Sequence, residues 1–174
     1  MGLGTIISNL YEMKKAAKYR KMGASELLNL EDEEFYEATD CLTCDTVEYD
    51  INNPDVQPEQ RWVYSLIAFE REVNNGGLCQ FFVNSSSICA PFVSKALEQI
   101  GALDVKAAYD DFLNENKIDV NDLSLFQIEK VEDYEDVEAG FDFDKFDDMF
   151  YADEDFHEKL LTYARNKISL LLEK

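Results

Sequence analysis

An uninterrupted helix cannot pass through Asn74-Asn75-Gly76-Gly77, and that break constrains the chain more than any other stretch. Upstream, Trp62, Leu66, Phe69 and Val73 recur at helical spacing, starting from Pro58, a residue suited to a first helical turn. Glycine adopts positive φ without a steric penalty, so Gly76 or Gly77 is the natural terminator of that helix. Leu78, Phe81 and Phe82 then fall at i, i+3 and i+4, one apolar face of a short helix. Asn84, Ser85 and Ser86 stop it and offer side-chain oxygens to cap the next helix. The stretch predicts a helix, a tight corner, a short aromatic helix and a polar cap.

Gln80 lies between apolar neighbours and is expected to be partly buried, where an amide must find partners. The free backbone of the corner, or the side chains of Asn74 and Glu70, are its expected partners. Two readings follow. Glu70, Asn74, Gln80 and Asn84 would line a small pocket, or they would form a polar latch between two core helices. No nucleophile or general base completes a site here, which favours the latch. The structural motif then comprises Glu70, Asn74, Asn75, Gly76, Gly77, Gln80, Phe81, Asn84 and Ser85.

The run from Glu70 to Ser86, followed by Ala96-Leu97-Glu98-Gln99-Ile100-Gly101-Ala102, resembles the signature of a family of small acidic bacterial proteins named for a DNA-mimic member. The match covers about residues 58–115; outside it the similarity is one of helical character and acidity. The resemblance implies an all-α fold and a homodimer whose acidic surface imitates the phosphates of duplex DNA. The motif marks the family and not the mimicry, which would reside in surface charge elsewhere.

Charge is what the rest of the chain contributes. Its 174 residues carry 37 acids against 16 bases, a formal net charge of −21. With 46% hydrophobic and 13% aromatic residues it is a folding chain and not a disordered acidic tail. Such a chain repels nucleic acid and anionic membrane and attracts basic protein surfaces. No apolar run approaches the ~18 residues of a membrane span, and Leu3 to Leu10 is too short and polar for a secretory signal. Cys41, Cys44, Cys79 and Cys89 without an export signal point to reduced thiols and a cytoplasmic location. Cys41 and Cys44 have zinc or redox spacing, but no second such pair follows, so free thiols are expected, with no metal and no cofactor.

In chain order, about Thr5 to Met22 predicts a helix with Ile6, Leu10, Met13 and Ala17 on one stripe. Lys14, Lys15, Lys18, Arg20 and Lys21 make it the basic part, with Gly23 as its stop; it is expected to fold back on the acidic remainder of this chain or of a second copy in a dimer, the alternative being an arm that pairs with an acidic partner. A second helix opens with Glu31-Asp32-Glu33-Glu34, acids that complement the macrodipole, and turns Phe35, Ala38 and Leu42 inward. Val47, Tyr49 and Ile51 alternate and would allow a scrap of strand before the turn at Asn52-Asn53-Pro54-Asp55. After the corner, one helix runs from near Pro91 to Ile100, with Phe92 and Ala96 inward and Gly101 as its stop. Asp104 would cap another, with Ala107, Ala108, Phe112 and Leu113 apolar. A final helix spans about Asp153 to Leu172. The fold class is all-α, a single domain over residues 1–174 with its acidic third at about 121–156.

That third interleaves acids with Leu125, Phe126, Ile128, Val131, Tyr134, Val137, Phe141, Phe143, Phe146, Met149, Phe150 and Phe156. Acids alone make a solvated tail; acids between regularly placed aromatics make a folded array of carboxylates. The candidate partner-binding residues are Asp133, Glu135, Asp136, Glu138, Asp142, Asp144, Asp147, Asp148, Asp153, Glu154 and Asp155. Asp142 to Asp148 is not an EF-hand, because Lys145 and Phe146 stand where a ligand and a turn are needed. One histidine, no P-loop and no nucleophile elbow argue against an enzyme.

The implied function is binding to a basic DNA-binding protein, a transcriptional regulator or nucleoid protein, at its DNA site. No direct nucleic-acid or membrane contact is expected. An immunity- or antitoxin-type inhibitor of a basic nuclease or toxin, or a solvated acidic face without mimic activity, remain the alternatives.

Overall fold

A computed structural model describes residues 15–47, 50–130 and 132–173. It is all-α, with no strand among the described residues. The stripe of Ile6, Leu10 and Met13, with Lys14, lies outside them, as do Tyr49 and Val131. The helices are α1 (Ala24–Leu27), α2 (Asp32–Val47), α3 (Pro58–Val83), α4 (Ala90–Ile100), α5 (Leu103–Asn116), α6 (Glu132–Ala139), α7 (Asp144–Ala152), α8 (Phe156–Asn166) and α9 (Ile168–Leu171). Short 3-10 turns at Ser85–Cys89 and Ser124–Phe126 join some of them. The chain forms two compact units, one of the residues up to Arg61 together with those from Ala164 on, the other Trp62–Tyr163.

In the first unit, the helical residues 15–19 carry the described end of the basic segment. Lys15 pairs with Glu37 and Lys18 with Glu34, while Arg20 forks onto Asp45 with both contacts at 2.5 Å. The expected fold-back on the chain's own acids therefore holds for these residues. Each such exposed pair contributes about 0–1 kcal/mol, so they orient the segment more than they stabilise it. Gly23 is not the stop: the helical residues end at 19, and Gly23 is the N-cap of α1, its N–H donating to Glu26 at 2.8 Å. Of the residues expected to allow a scrap of strand, Val47 ends α2 and Ile51 lies in a turn, while Tyr49 is outside the described residues. Arg61 ties that turn down, donating to the carbonyls of Ile51 (2.7 Å) and Asn53 (2.9 Å). Arg165 lies 4.0 Å over the Phe35 ring and donates to Asp32 at 2.8 Å. The expected last helix is two, broken at Lys167 between α8 and α9.

The core of the second unit is aromatic. Phe69 of α3 meets Phe81 edge-on at 5.0 Å, Tyr109 at 5.7 Å, Phe150 at 5.8 Å and Phe146 at 6.0 Å. Phe82 stacks on Phe126 at 4.7 Å, and Phe112 on Phe143 at 5.0 Å. Edge-to-face and offset pairs of this kind add about 0.5–1.5 kcal/mol beyond area burial. Phe126, Phe143, Phe146, Phe150 and Phe156 are all buried, so the acidic third is anchored by its aromatics as its interleaved pattern predicts. Leu125 departs from the pattern and is exposed, since a single 3-10 turn can bury only one side, here that of Phe126.

Helix ends follow their signals unevenly. Pro58 opens α3, and Gly101 closes α4 in the left-handed conformation (φ 78°, ψ 19°). Asp104 is no cap: α5 starts at Leu103 after Ala102, and the acid sits in its first turn, favourable to the dipole. In α4 the buried stripe is Val93, Ala96, Leu97 and Ile100, with Phe92 only half-buried.

Candidate functional site

The glycine corner is present, and its geometry explains both glycines. Gly76 (φ −166°, ψ 33°) and Gly77 (φ 73°, ψ −178°) interrupt α3 between two helical stretches. The Gly77 conformation belongs to a region that side chains make nearly inaccessible. Gly76 is extended and needs glycine for space instead: a Cβ there would lie 2.2 Å from Gln80 Oε1. At Gly77 a Cβ would lie 2.3 Å from Asp147 Oδ2.

A break inside a helix leaves carbonyls and N–H groups without their i−4 partners. Here three side chains from the acidic third supply them. Asp147 of α7 accepts from the Leu78 N–H at 2.8 Å, Tyr134 of α6 donates to the Gly76 carbonyl at 3.3 Å, and Tyr151 of α7 donates to the Val73 carbonyl at 2.7 Å. Burial pushes the Asp147 carboxyl above its ordinary range; the Leu78 N–H pulls it down, and Asp144, Asp148 and Glu138 push it up again. Cys79, hydrogen-bonded to Tyr134, is pushed up to about 11, chiefly by burial. Asp147 is therefore half-buried and committed to the corner, unlike the exposed acids beside it.

Gln80 is held across the corner, by a partner other than the expected ones. Gln80 and Asn84 both donate to Glu72, at 2.7 and 2.8 Å. Burial opposes ionisation of Glu72, but the donors Gln80, Asn84 and Ser86, with Arg71 near, hold its pKa below the ordinary carboxylate value. The predicted pocket of Glu70, Asn74, Gln80 and Asn84 does not assemble. Asn74 and Asn75 are exposed, and Glu70 points the other way into the core, where it is 6% exposed. Its Oε1 lies 2.8 Å from Nδ1 of His157 on α8. Ser85 is exposed; Asn84, at the N-cap of the 3-10 turn, makes no capping bond because its amide is engaged with Glu72.

The other acids of the last third divide by what they already do. Asp133 accepts from the N–H groups of Glu129 (3.0 Å) and Lys130 (2.9 Å), pinning the start of α6. Asp153 accepts from the Asp155 N–H at 2.9 Å and faces Lys159 at 3.8 Å. Glu135, Asp136, Glu138, Asp142, Asp144, Asp148, Glu154 and Asp155 are exposed. Asp111 and Glu115 of α5 are further exposed acids close to Asp142, around one hollow. Sequence reasoning missed both because they lie in a different helix from the acidic run, and their i, i+4 spacing is the one signal that marks them.

Cys89 is buried and its thiol is pushed up to about 11 by that burial; Cys41 is raised for the same reason. Cys41 and Cys44 are half-buried. Among the described residues no three His, Cys, Asp or Glu side chains gather into a metal site, and no helix is long and apolar enough to cross a membrane.

The structure is that of an all-α protein with an aromatic core and exposed carboxylates, whose acidic third completes a glycine corner. The chain belongs to the DMP19-like protein family, whose model matches residues 54–167. That match takes in the acidic third as well as the corner, beyond the 58–115 in which the sequence motif is dense. Comparison with curated proteins gave no match, and comparison with solved structures gave none.

Proposed function

We propose that this protein is an acidic DNA-mimic-type protein that occupies the DNA-binding surface of a basic partner, such as a transcriptional regulator, and so blocks DNA binding. The carrying observation is the set of exposed carboxylates on α6, α7 and their flanks, with α7 anchored by the buried Phe146 and Phe150 and α6 tied to the corner through Tyr134. Family membership supports the same reading. Lys130 and Lys145 are the bases among them between residues 122 and 155, and Lys145 is engaged with Glu115 at 2.8 Å. Proteins that bind DNA gain much of their affinity by releasing counterions from phosphates. An anchored array of carboxylates competes for the same Lys and Arg side chains without the chain entropy a floppy tail would lose. The protein acts in the cytoplasm as a homodimer, binds no nucleic acid itself and catalyses nothing.

The test is capture on immobilised protein from a native lysate, eluted by rising salt. A basic DNA-binding protein released between about 0.05 and 0.2 M salt supports the proposal, since contacts of this kind weaken steeply there. Nothing captured at low salt would refute it.

A further inference from the structure

A hollow of about 190 Å³ lies between α5 and α7. Pockets for small molecules run to about 300–1,000 Å³, so this one has room for a single long side chain and not for a substrate. Its floor is apolar, made by Ala108, Phe112, Phe146 and Met149, and its rim carries the carboxylates Asp111, Glu115 and Asp142. Phe112 and Phe146 are buried core residues, so the floor is fixed. The rim already holds a cation: Lys145, which also lines the hollow, donates to Glu115 at 2.8 Å, with both side chains about 60% exposed (61% and 59%). Glu115 foremost, then Asp111 and Asp142, raise the Lys145 pKa. Three carboxylates against one ammonium leave negative charge over to be matched.

We propose that this hollow receives an arginine side chain of the basic partner. The proposal rests on the partner-binding reading and names the point where it is strongest. Arginine fits better than lysine on three grounds. Its aliphatic stem covers the apolar floor, its planar fork satisfies two carboxylates at once, and it sheds water more easily than an ammonium. The chain uses the same arrangement elsewhere: Arg165 lies 4.0 Å over the Phe35 ring while donating to Asp32. Buried arginines of this kind are the side chains that dominate interface energies.

The experiment titrates the full-length protein at low salt with the capped tripeptide Gly-Arg-Gly, and with the same peptide carrying citrulline, which keeps the shape and lacks the charge. The readout is the NMR shift of the Met149 methyl. The arginine peptide should shift it saturably and the citrulline peptide should not. Asp111→Asn with Glu115→Gln should weaken binding at least about fivefold, and Lys145→Ala should strengthen it severalfold by freeing the rim. These residues are exposed, so the variants keep their helicity, checked by circular dichroism. No saturable shift, an equal response to citrulline, or no loss in the double variant overturns the proposal. No partner enters this measurement: a hollow that binds arginine while no basic partner is ever found would refute the mimic reading alone, and the reverse result would refute the hollow alone.

Discussion

Gly77→Ala isolates what the corner demands of the chain. An alanine at φ 73° and ψ −178° carries backbone strain of about 1–3 kcal/mol. Its Cβ would also stand 2.3 Å from Asp147 Oδ2 and 3.1 Å from Asp147 Cγ, so the carboxylate must withdraw. Withdrawal strands the Leu78 N–H, now 2.8 Å from Asp147 Oδ1, at a further cost of about 1–3 kcal/mol in a part-buried place. The sum is roughly 2–6 kcal/mol, equivalent to a Tm drop of roughly 4–24 °C at about 2–4 °C per kcal/mol for a chain of this size. Urea unfolding followed by circular dichroism at fixed protein concentration measures it. In an Asp147→Ala background the steric part disappears, so Gly77→Ala should there cost only its backbone strain. A loss below about 1 kcal/mol in the wild-type background, or strict additivity of the two changes, would refute this account of the corner.

Gly76→Ala should be milder, about 1–2 kcal/mol in the same assay, because Gln80 can swing away and only its bond to Glu72 is lost. Gln80→Leu should likewise lower stability by about 1 kcal/mol and leave partner binding unchanged in the lysate capture. The Asp147 pKa is raised in the folded protein, so its stabilising contribution is full below the ordinary value of 3.8 and lost as pH rises through the raised one. Asp147→Asn, which keeps an acceptor for Leu78, should therefore gain on wild type as the pH rises from about 4 to about 7, measured by unfolding at each pH. The Glu72 pKa is depressed, so its contribution is present above the ordinary carboxylate value and fades as pH falls through the depressed one. Glu72→Gln should cost most near neutrality and least in acid. With pKa values near 11, Cys79 and Cys89 should resist a thiol reagent at neutral pH until the protein unfolds.

The corner was legible because two glycines after two asparagines leave a helix nowhere to go, and the flanking apolar spacing showed what stood on either side. Its partners were not legible. Which face Gln80 presents depends on the φ and ψ at Gly76 and Gly77, and no local pattern encodes them; Glu72 therefore replaces the expected Glu70 and Asn74. Asp147 hides for a related reason. Within Asp144 to Asp148 it looks like any other acid, and only the fold shows that it stands over Gly77 while Asp148 faces solvent. The break at Lys167 carries neither glycine nor proline, so the final helix read as continuous. Phe146 and Phe150 were recognisable as core because their spacing of four matches a buried helical face.

The central claim is that the exposed acids occupy a surface made for DNA, and competition by duplex DNA tests it most directly. The captured partner is held on the immobilised protein at low salt and challenged with rising duplex DNA, then with a variant carrying amides at Glu135, Asp136, Glu138, Asp142, Asp144 and Asp148. Duplex DNA should displace the partner completely, and the variant should fail to capture it although its helicity is unchanged. A partner that stays bound under excess DNA, or that the amide variant captures as well as the wild type, would contradict the account and place the binding surface elsewhere.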